Sequence, residues 1–145
     1  MKEILKLESQ LCFPVYALSR KITSMYQPFL VRLGITYPQY LVMLVLWEKE
    51  TVSVKQLGEY LLLDSGTLTP LLKRLEKNKL INRVRSDKDE RVVMLSLTKT
   101  GKKMEEQAEK IPQQLSREFE NCDIKPQSLK KLIKEVAGIM GSKCK

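Results

Sequence analysis

The chain has no histidine, and its three cysteines, Cys12, Cys122 and Cys144, are odd in number and far apart. Both facts narrow the chemistry. Without His ligands or a CxxC pair a zinc site is not expected. Without histidine the usual base for a Ser or Cys nucleophile is missing, which nearly excludes a hydrolase triad. The six glycines are scattered and form no phosphate-cradling loop. The longest apolar run, YLVMLVLW, has eight residues, far short of the roughly 20 that cross a bilayer. The N-terminal MKEILKLESQ carries acidic residues where a signal peptide is apolar. The expectation is a cytoplasmic protein that is not an enzyme and needs neither metal nor cofactor.

Positive charge is abundant. Lys and Arg number 26 against 17 Asp and Glu, giving a formal net charge of +9 and a pI near 9.5. A polyanion or an acidic membrane surface suits such a chain. Its 145 residues, 43% of them apolar, are enough for one domain with a buried core, with or without added dimerisation helices.

Nearly all of the chain reads as helix. From Glu3 to Leu33, the residues Leu7, Leu11, Val15, Leu18 and Ile22 recur at spacings of three and four, and Pro14 and Pro28 must start, bend or end helices there. Gly34 and then Thr36, Tyr37 and Pro38 mark a helix end and a new start. Gln39 to Lys49 follows as a helix apolar nearly all round, with Leu41, Leu44, Val45 and Trp47, which places it at the centre of the core.

The strongest pattern runs from Ser53 to Leu97. Ser53 and Gln56 have capping-box spacing, and Val54, Leu57, Tyr60 and Leu61 are expected to share one face of the helix that follows. Leu62 to Gly66 supplies a turn and a cap. A second helix, SGTLTPLLKRLEKNKL, then points Leu68, Leu71, Leu72 and Leu75 inward and leaves Ser65, Thr67, Thr69, Lys73 and Arg74 on its free face. Pro70 is tolerated cheaply only in a first turn, so the helix is expected to start between Ser65 and Thr67. The DNA major groove admits one such helix, whose N-terminal side chains reach base edges while cations meet phosphates. A merely solvated polar face would look the same on this helix alone.

Two strand-like runs come next, Leu80 to Arg85 and Arg91 to Leu97, joined by SDKDE. Arg83, Arg85, Lys88 and Arg91 cluster there, as in a wing that lays cations along a backbone or into a narrow minor groove. Asp89 is placed to orient Arg91 through a bidentate pair. A surface hairpin of mixed charge is the plainer alternative. A membrane partner is disfavoured, because the cations sit on this motif and not along one long amphipathic helix.

Beyond Thr98, an expected N-cap, Met104, Ala108, Ile111, Leu115 and Phe119 form a stripe bent at Pro112. Leu129, Leu132, Ile133, Val136 and Ile139 form another after Pro126. Packed with the N-terminal helix against a second chain, these stripes would make a two-fold homodimer; a monomer that packs all of them internally is the less favoured alternative. The dimer's two recognition helices would lie about 34 Å apart and read an inverted repeat in double-stranded DNA. The fold class expected is mainly α with a small β wing, as one domain over 1–145. A winged helix-turn-helix core over about 38–98 is flanked by dimerisation helices over about 3–33 and 99–140.

These residues carry a resemblance. The run YLLLDSGTLTPLLKRLEKNKLINRVRSDKDERVVMLSLT, with Asp89, one residue, Arg91 and an apolar strand ending in Thr98, resembles the winged core of the MarR family of transcriptional regulators. QLCFPVYALSR, MYQPFL and GITYPQYLVMLVLWE resemble the family's organic-hydroperoxide-sensing OhrR branch, to which SarZ-like regulators are related. The likeness covers about residues 5–112, with cysteine, tyrosine and wing motifs in order.

The resemblance implies a dimeric repressor whose sensing cysteine, matching Cys12, reacts with an organic hydroperoxide and loosens DNA binding. It implies that Tyr26 and Tyr37 contact the thiol across the dimer, with Tyr16 near the pocket. It also implies alternative fates for the sulfenic acid. One is a mixed disulfide with a low-molecular-weight thiol, as in single-cysteine members; another is overoxidation. In two-cysteine members a cysteine from the partner's C-terminal region resolves it, and Cys122 lies roughly there.

The residues' own chemistry is consistent with this. A peroxide nucleophile must be a thiolate, and Cys12 lies two residues before Pro14, where a helix can begin. The phenols of Tyr26 and Tyr37 can donate to a thiolate or sulfenate oxygen. Leu11, Phe13, Val15 and Met25 would favour alkyl or lipid hydroperoxides. The alternative is an inert, structural Cys12 in a regulator released by a small phenolic or aromatic ligand bound in an inter-helix cleft. A thiol peroxidase is disfavoured by the lack of a second reactive motif.

Overall fold

In the computed structural model, residues 2–121 and 125–140 are described, and they divide into a unit up to Glu109 and a second unit from Lys110. Cys122 and Cys144 lie outside the described residues.

Helix starts fall at Pro14 and Pro28, as expected, but the residues before Cys12 are not α-helical. Glu3–Leu5 and Leu7–Ser9 are short 3-10 turns, and the first α-helix, α1, spans Cys12–Met25. Pro14 is the third residue of α1, inside the first turn, where no helical acceptor is lost; it begins the helix and does not bend it. Pro28 likewise falls at the start of α2, Gln27–Leu33. Gly34 ends α2 with φ 68°, a left-handed conformation that costs a glycine little. Two residues later the Thr36 N–H donates to Gln39 Oε1 at 2.9 Å and opens α3, Tyr37–Lys49.

Helix α3 is the core of the first unit. Tyr40, Val42, Met43 and Leu46 are buried in it, and Gln39, also buried, is held by its capping role. Leu57, Leu68, Leu72, Leu75, Ile81 and Leu95 join them from the following elements. Each large apolar side chain so buried contributes about 1.5–3 kcal/mol relative to exposure.

A strand missed by the sequence reading, β1 (Thr51–Ser53), follows α3. It pairs antiparallel with β3 (Val93–Leu97), which also pairs with β2 (Ile81–Arg85), giving the order β1-β3-β2. Three residues are too few to show a period, and only Val52 of the three is buried.

Helix α4, Val54–Leu61, starts as expected. Ser53 Oγ accepts from the Gln56 N–H at 3.1 Å, and the Gln56 side chain reaches back to Ser53 N at 2.9 Å. Tyr60 does not share the inward face. At about 100° per residue it falls roughly 60° beyond Leu57, past the edge of the apolar stripe. It is 54% exposed, with its ring 5.7 Å from Lys49 Nζ. Gly58 takes the inward position instead, because a Cβ there would come within 2.7 Å of the Leu63 carbonyl oxygen.

Helix α5, Ser65–Lys77, is capped by Asp64, whose Oδ1 accepts from the Thr67 N–H at 2.8 Å. Leu68, Leu72 and Leu75 are buried, as expected. The start at Ser65 falls within the expected range, but it makes Pro70 the sixth helical residue, beyond the first turn. Its missing N–H leaves Gly66 without that helical donor, and its ring approaches the carbonyl of a glycine, whose peptide can tilt. Thr69 Oγ1 ties the same turn by donating to the Ser65 carbonyl at 2.7 Å.

Thr98 caps α6, Lys99–Ala108, by accepting from the Gly101 N–H at 3.0 Å. In the second unit, α7 spans Ile111–Asn121, with Pro112 as its second residue, and α8 spans Pro126–Met140. The expected bend at Pro112 is thus a break between two helices. Among the described residues no single helix is long and apolar enough to cross a membrane.

Candidate nucleic-acid interface and thiol site

The first turn of α5 displays Ser65 and Thr67, both exposed, and the later turns display Lys73 and Arg74. Two of the hydroxyls are already engaged. Thr67 Oγ1 donates to Asp64 Oδ2 at 3.0 Å, and Thr69, half-buried, donates to Ser65. They can still accept, whereas Ser65 remains able to do both. The Thr67 backbone N–H, and then its hydroxyl, hold the Asp64 carboxyl below the usual carboxylate range.

Arg85, Lys88 and Arg91 are exposed on the hairpin between β2 and β3. Among the described residues none of these three, nor Lys73 nor Arg74, is in an ion pair. Asp89 does not grip the Arg91 guanidinium. Its Oδ1 accepts the Arg91 backbone N–H at 3.0 Å, an Asx turn that shapes the loop while the Arg91 head stays in solvent. Ser86 N–H to Val92 O at 2.8 Å and Val92 N–H to Asp89 O at 2.9 Å close the same loop.

Arg83 leaves the expected cluster. It shares a face of β2 with Arg85 and the buried Ile81, and at its more inward place on that face its Nη1 lies 3.5 Å from Glu76 Oε2 of α5, with Nε buried without a partner. It borders a cleft of about 680 Å³ between α4, α5 and the hairpin, with Thr69 and Arg91 also on its wall.

The thiol residues are separated in the protomer. Cys12 is the first residue of α1 and exposed, and Tyr26 caps the other end. The helix has 14 residues, so the rise from Cys12 to Tyr26 is about 21 Å at 1.5 Å per residue. Tyr16, one turn after Cys12, is exposed, with Arg20 Cζ 5.5 Å from its ring centre. Tyr26 and Tyr37 do meet, with ring centres 4.8 Å apart. Tyr40 joins them at 5.9 Å and 6.5 Å, and Trp47 lies 6.2 Å from Tyr40. Tyr40 was not among the expected site residues, although its place one turn after Tyr37 on a helix was the available signal. Burial, then the neighbouring Tyr37 and Tyr40, push the Tyr26 phenol up to about 12. Burial raises Tyr37 and Tyr40 as well. All three phenols therefore stay protonated at neutral pH and remain donors.

α1 has no buried residue. Leu11 is 89% exposed, and Phe13, Val15 and Tyr16 are also exposed, so the N-terminal part of its apolar side is bare in a single chain, whereas Leu18, Ile22 and Met25 are half-buried. Among the described residues no group of three or more Cys, Asp or Glu side chains is placed to hold a metal ion.

Comparison with known proteins places this architecture. The family model "Transcriptional regulator SarA/Rot" matches residues 24–111. The organic hydroperoxide resistance transcriptional regulator of Bacillus subtilis (strain 168) is 58% identical over 108 residues, 74% of each chain. The HTH-type transcriptional regulator SarZ of Staphylococcus epidermidis (strain ATCC 35984) is 41% identical over 123 residues, 85% of this chain and 83% of that one. Among solved structures, overoxidized AbfR bound to DNA, a Staphylococcus epidermidis protein, superposes with a TM-score of 0.73 at 35% identity over 95% of each chain. The chain therefore belongs to the SarA/Rot-type transcriptional regulators and, within the MarR family, to the branch that holds the organic-hydroperoxide-resistance and SarZ regulators.

Proposed function

We propose that the chain forms one MarR-type domain over 1–145 that dimerises through its terminal helices and acts as a redox-sensing repressor. It binds an inverted-repeat operator in double-stranded DNA and releases it when Cys12 is oxidised by an organic hydroperoxide. The observation that carries this reading is the placement of Cys12 and the Tyr26–Tyr37 pair at opposite ends of an α1 with no buried residue. Within one chain the thiol and the phenols are too far apart to touch. In a two-fold dimer that covers the bare face of α1, the Cys12 end of one helix can meet the tyrosine end of the other. The hydroperoxide-resistance relative and the overoxidized AbfR support the redox role, and the DNA-bound AbfR structure supports the DNA contact.

In the chemical step, the Cys12 thiolate attacks the terminal peroxide oxygen. The S–O bond forms as the O–O bond breaks, sulfur gives up two electrons, and the alkoxide leaves and takes a proton to become an alcohol. The protonated phenols of Tyr26 and Tyr37 donate to the sulfenate oxygen. A low-molecular-weight thiol, a second cysteine such as Cys122, or further oxidation then completes the change. Ser65, Thr67, Thr69, Lys73 and Arg74 enter the major groove, while Arg85, Lys88 and Arg91 meet the backbone on a loop shaped by Asp89.

A second reading has one observation in its favour. The cleft beside Arg83 is large enough for a small aromatic acid or phenol, whose binding between α5 and the hairpin would release DNA without touching sulfur. The exposure of Cys12 speaks against its being a structural core thiol. A gel-shift titration with and without cumene hydroperoxide, on wild type and Cys12→Ser, separates the two. Peroxide should release wild type and spare Cys12→Ser; equal release, or none, would sink the redox reading.

A further inference from the structure

The aromatic cluster does not end at the tyrosines. Trp47 packs edge-on against Tyr40, and its indole Nε1–H donates to the Gly101 carbonyl at 3.0 Å, joining positions 54 residues apart. Gly101 lies against the Leu80 carbonyl so closely that a Cβ there would collide with it. Its N–H donates to Thr98 Oγ1 at 3.0 Å. The Thr98 hydroxyl donates onward to the Lys79 carbonyl at 2.6 Å, and the Thr98 N–H donates to the Leu80 carbonyl at 3.1 Å. Leu80 N–H in turn donates to the Leu75 carbonyl in the last turns of α5, and Leu80 leads directly into β2. One continuous set of contacts thus runs from the Tyr26–Tyr37 pair, through Tyr40 and Trp47, to the junction between the recognition helix and the wing.

We propose that Trp47 is the positioning residue that couples the tyrosine site to the DNA-reading elements, through its hydrogen bond to Gly101. This inference rests on the redox reading above. Oxidation at the thiol changes what the Tyr26 and Tyr37 phenols hydrogen-bond; Tyr40 follows because its ring lies tilted against both, at 5.9 Å and 6.5 Å; and the indole moves with Tyr40. A hydrogen bond is directional, so a rotated indole either pulls the Gly101 carbonyl or loses it. Gly101 has no slack against Leu80, and its shift re-aims the end of α5 together with β2. Trp47 touches neither the thiol nor the proposed DNA face.

Trp47 is the chain's single tryptophan, so a 15N-indole NMR spectrum of the full-length protein contains one reporter of this bond. In the reduced protein its N–H should exchange slowly with solvent. After cumene hydroperoxide oxidises Cys12, the resonance should shift and its exchange quicken by about tenfold or more, as for a bond that opens locally. An unchanged resonance in oxidised, DNA-free protein overturns the inference.

Trp47→Phe keeps an aromatic ring against Tyr40 and deletes the donor. It should form sulfenate at the wild-type rate, read by dimedone trapping and mass spectrometry, and bind operator when reduced within about threefold of wild type. Its ratio of reduced to oxidised affinity should fall about tenfold, within the usual range of coupling between sites. A variant that is merely less stable would melt earlier yet keep that ratio. A wild-type ratio in Trp47→Phe overturns the coupling role alone. Wild-type protein that forms sulfenate but keeps its DNA overturns the redox reading and this inference together. If Trp47→Phe does not fold, the indole measurement on wild type decides.

Discussion

Cys12 and Tyr26 stand at the two ends of one helix, the first opening α1 and the second capping it. Because the Tyr26 ring lies 4.8 Å from that of Tyr37, a thiol arriving from another chain, as proposed above, would meet both phenols at once. Tyr26→Phe combined with Tyr37→Phe should leave the reduced protein's operator affinity within about twofold. It should slow sulfenate formation by about tenfold, the size of one charge-assisted hydrogen bond. Rapid mixing with an organic hydroperoxide and dimedone quenching measures the rate; an unchanged rate removes the phenols from the thiol site.

The same phenols make stability depend on alkaline pH. Tyr26 is pushed up to about 12 in the fold, whereas an unfolded chain loses that proton near 10. The neutral form is the one the fold favours, so its contribution is complete below pH 10 and is lost as pH rises from about 10 to about 12. Phenolate absorbance and circular dichroism, followed together, should show the last tyrosines ionising as the helices melt. Ionisation of all five tyrosines near pH 10 in a still-folded protein would contradict this.

Arg91 and Arg83 should behave oppositely although both belong to the hairpin. Arg91 is exposed and its guanidinium is in no ion pair among the described residues, so Arg91→Ala should weaken operator binding and reduce the salt slope by about one unit. Arg83 is tied to Glu76 on α5, so Arg83→Ala should lower the urea midpoint and leave the salt slope alone. Fluorescence anisotropy over a salt series, beside urea titrations, distinguishes the two. Equal slopes for Arg91→Ala and wild type would take Arg91 off the phosphates.

Asp64 caps α5 and puts a negative charge where DNA is expected to arrive. Asp64→Asn keeps an acceptor for the Thr67 N–H but loses the charge and the Oδ2 acceptor of the Thr67 hydroxyl, so it should lower the melting temperature only slightly while raising operator affinity a few-fold at low salt. Asp64→Ala should lower the melting temperature. Because the carboxyl is held below its ordinary value of 3.8, its stabilising effect is present above that pH and is lost as pH falls through the depressed value. A melting temperature equal for Asp64→Ala and wild type at neutral pH would show that the cap contributes nothing.

Much of the fold was legible because its punctuation is local. Ser53 with Gln56, Asp64 ahead of α5, Thr98 ahead of α6 and Gly34 behind α2 all act within three or four residues, and the structure makes each of those hydrogen bonds or turns. The proline readings were mixed for the same reason. Pro14 and Pro28 mark starts, but Pro70 sits deeper than its local cost suggests, because Asp64 fixes the start of α5 farther upstream.

Sequence by itself determined the helical order, the two capped helices before the wing, the cationic hairpin and the cysteine and tyrosine motifs, since each depends on spacing along the chain. Only the tertiary structure decided where those groups meet. Packing of α3 against the sheet brought Trp47 to Gly101, the inward place of Arg83 on β2 carried it to Glu76, and the loop geometry gave Asp89 a backbone N–H in place of a guanidinium. The length of α1 kept Cys12 and Tyr26 apart in one chain. The physical reason is that caps and turns are closed by neighbours in sequence, whereas these contacts join segments whose approach is set by burial of the shared core.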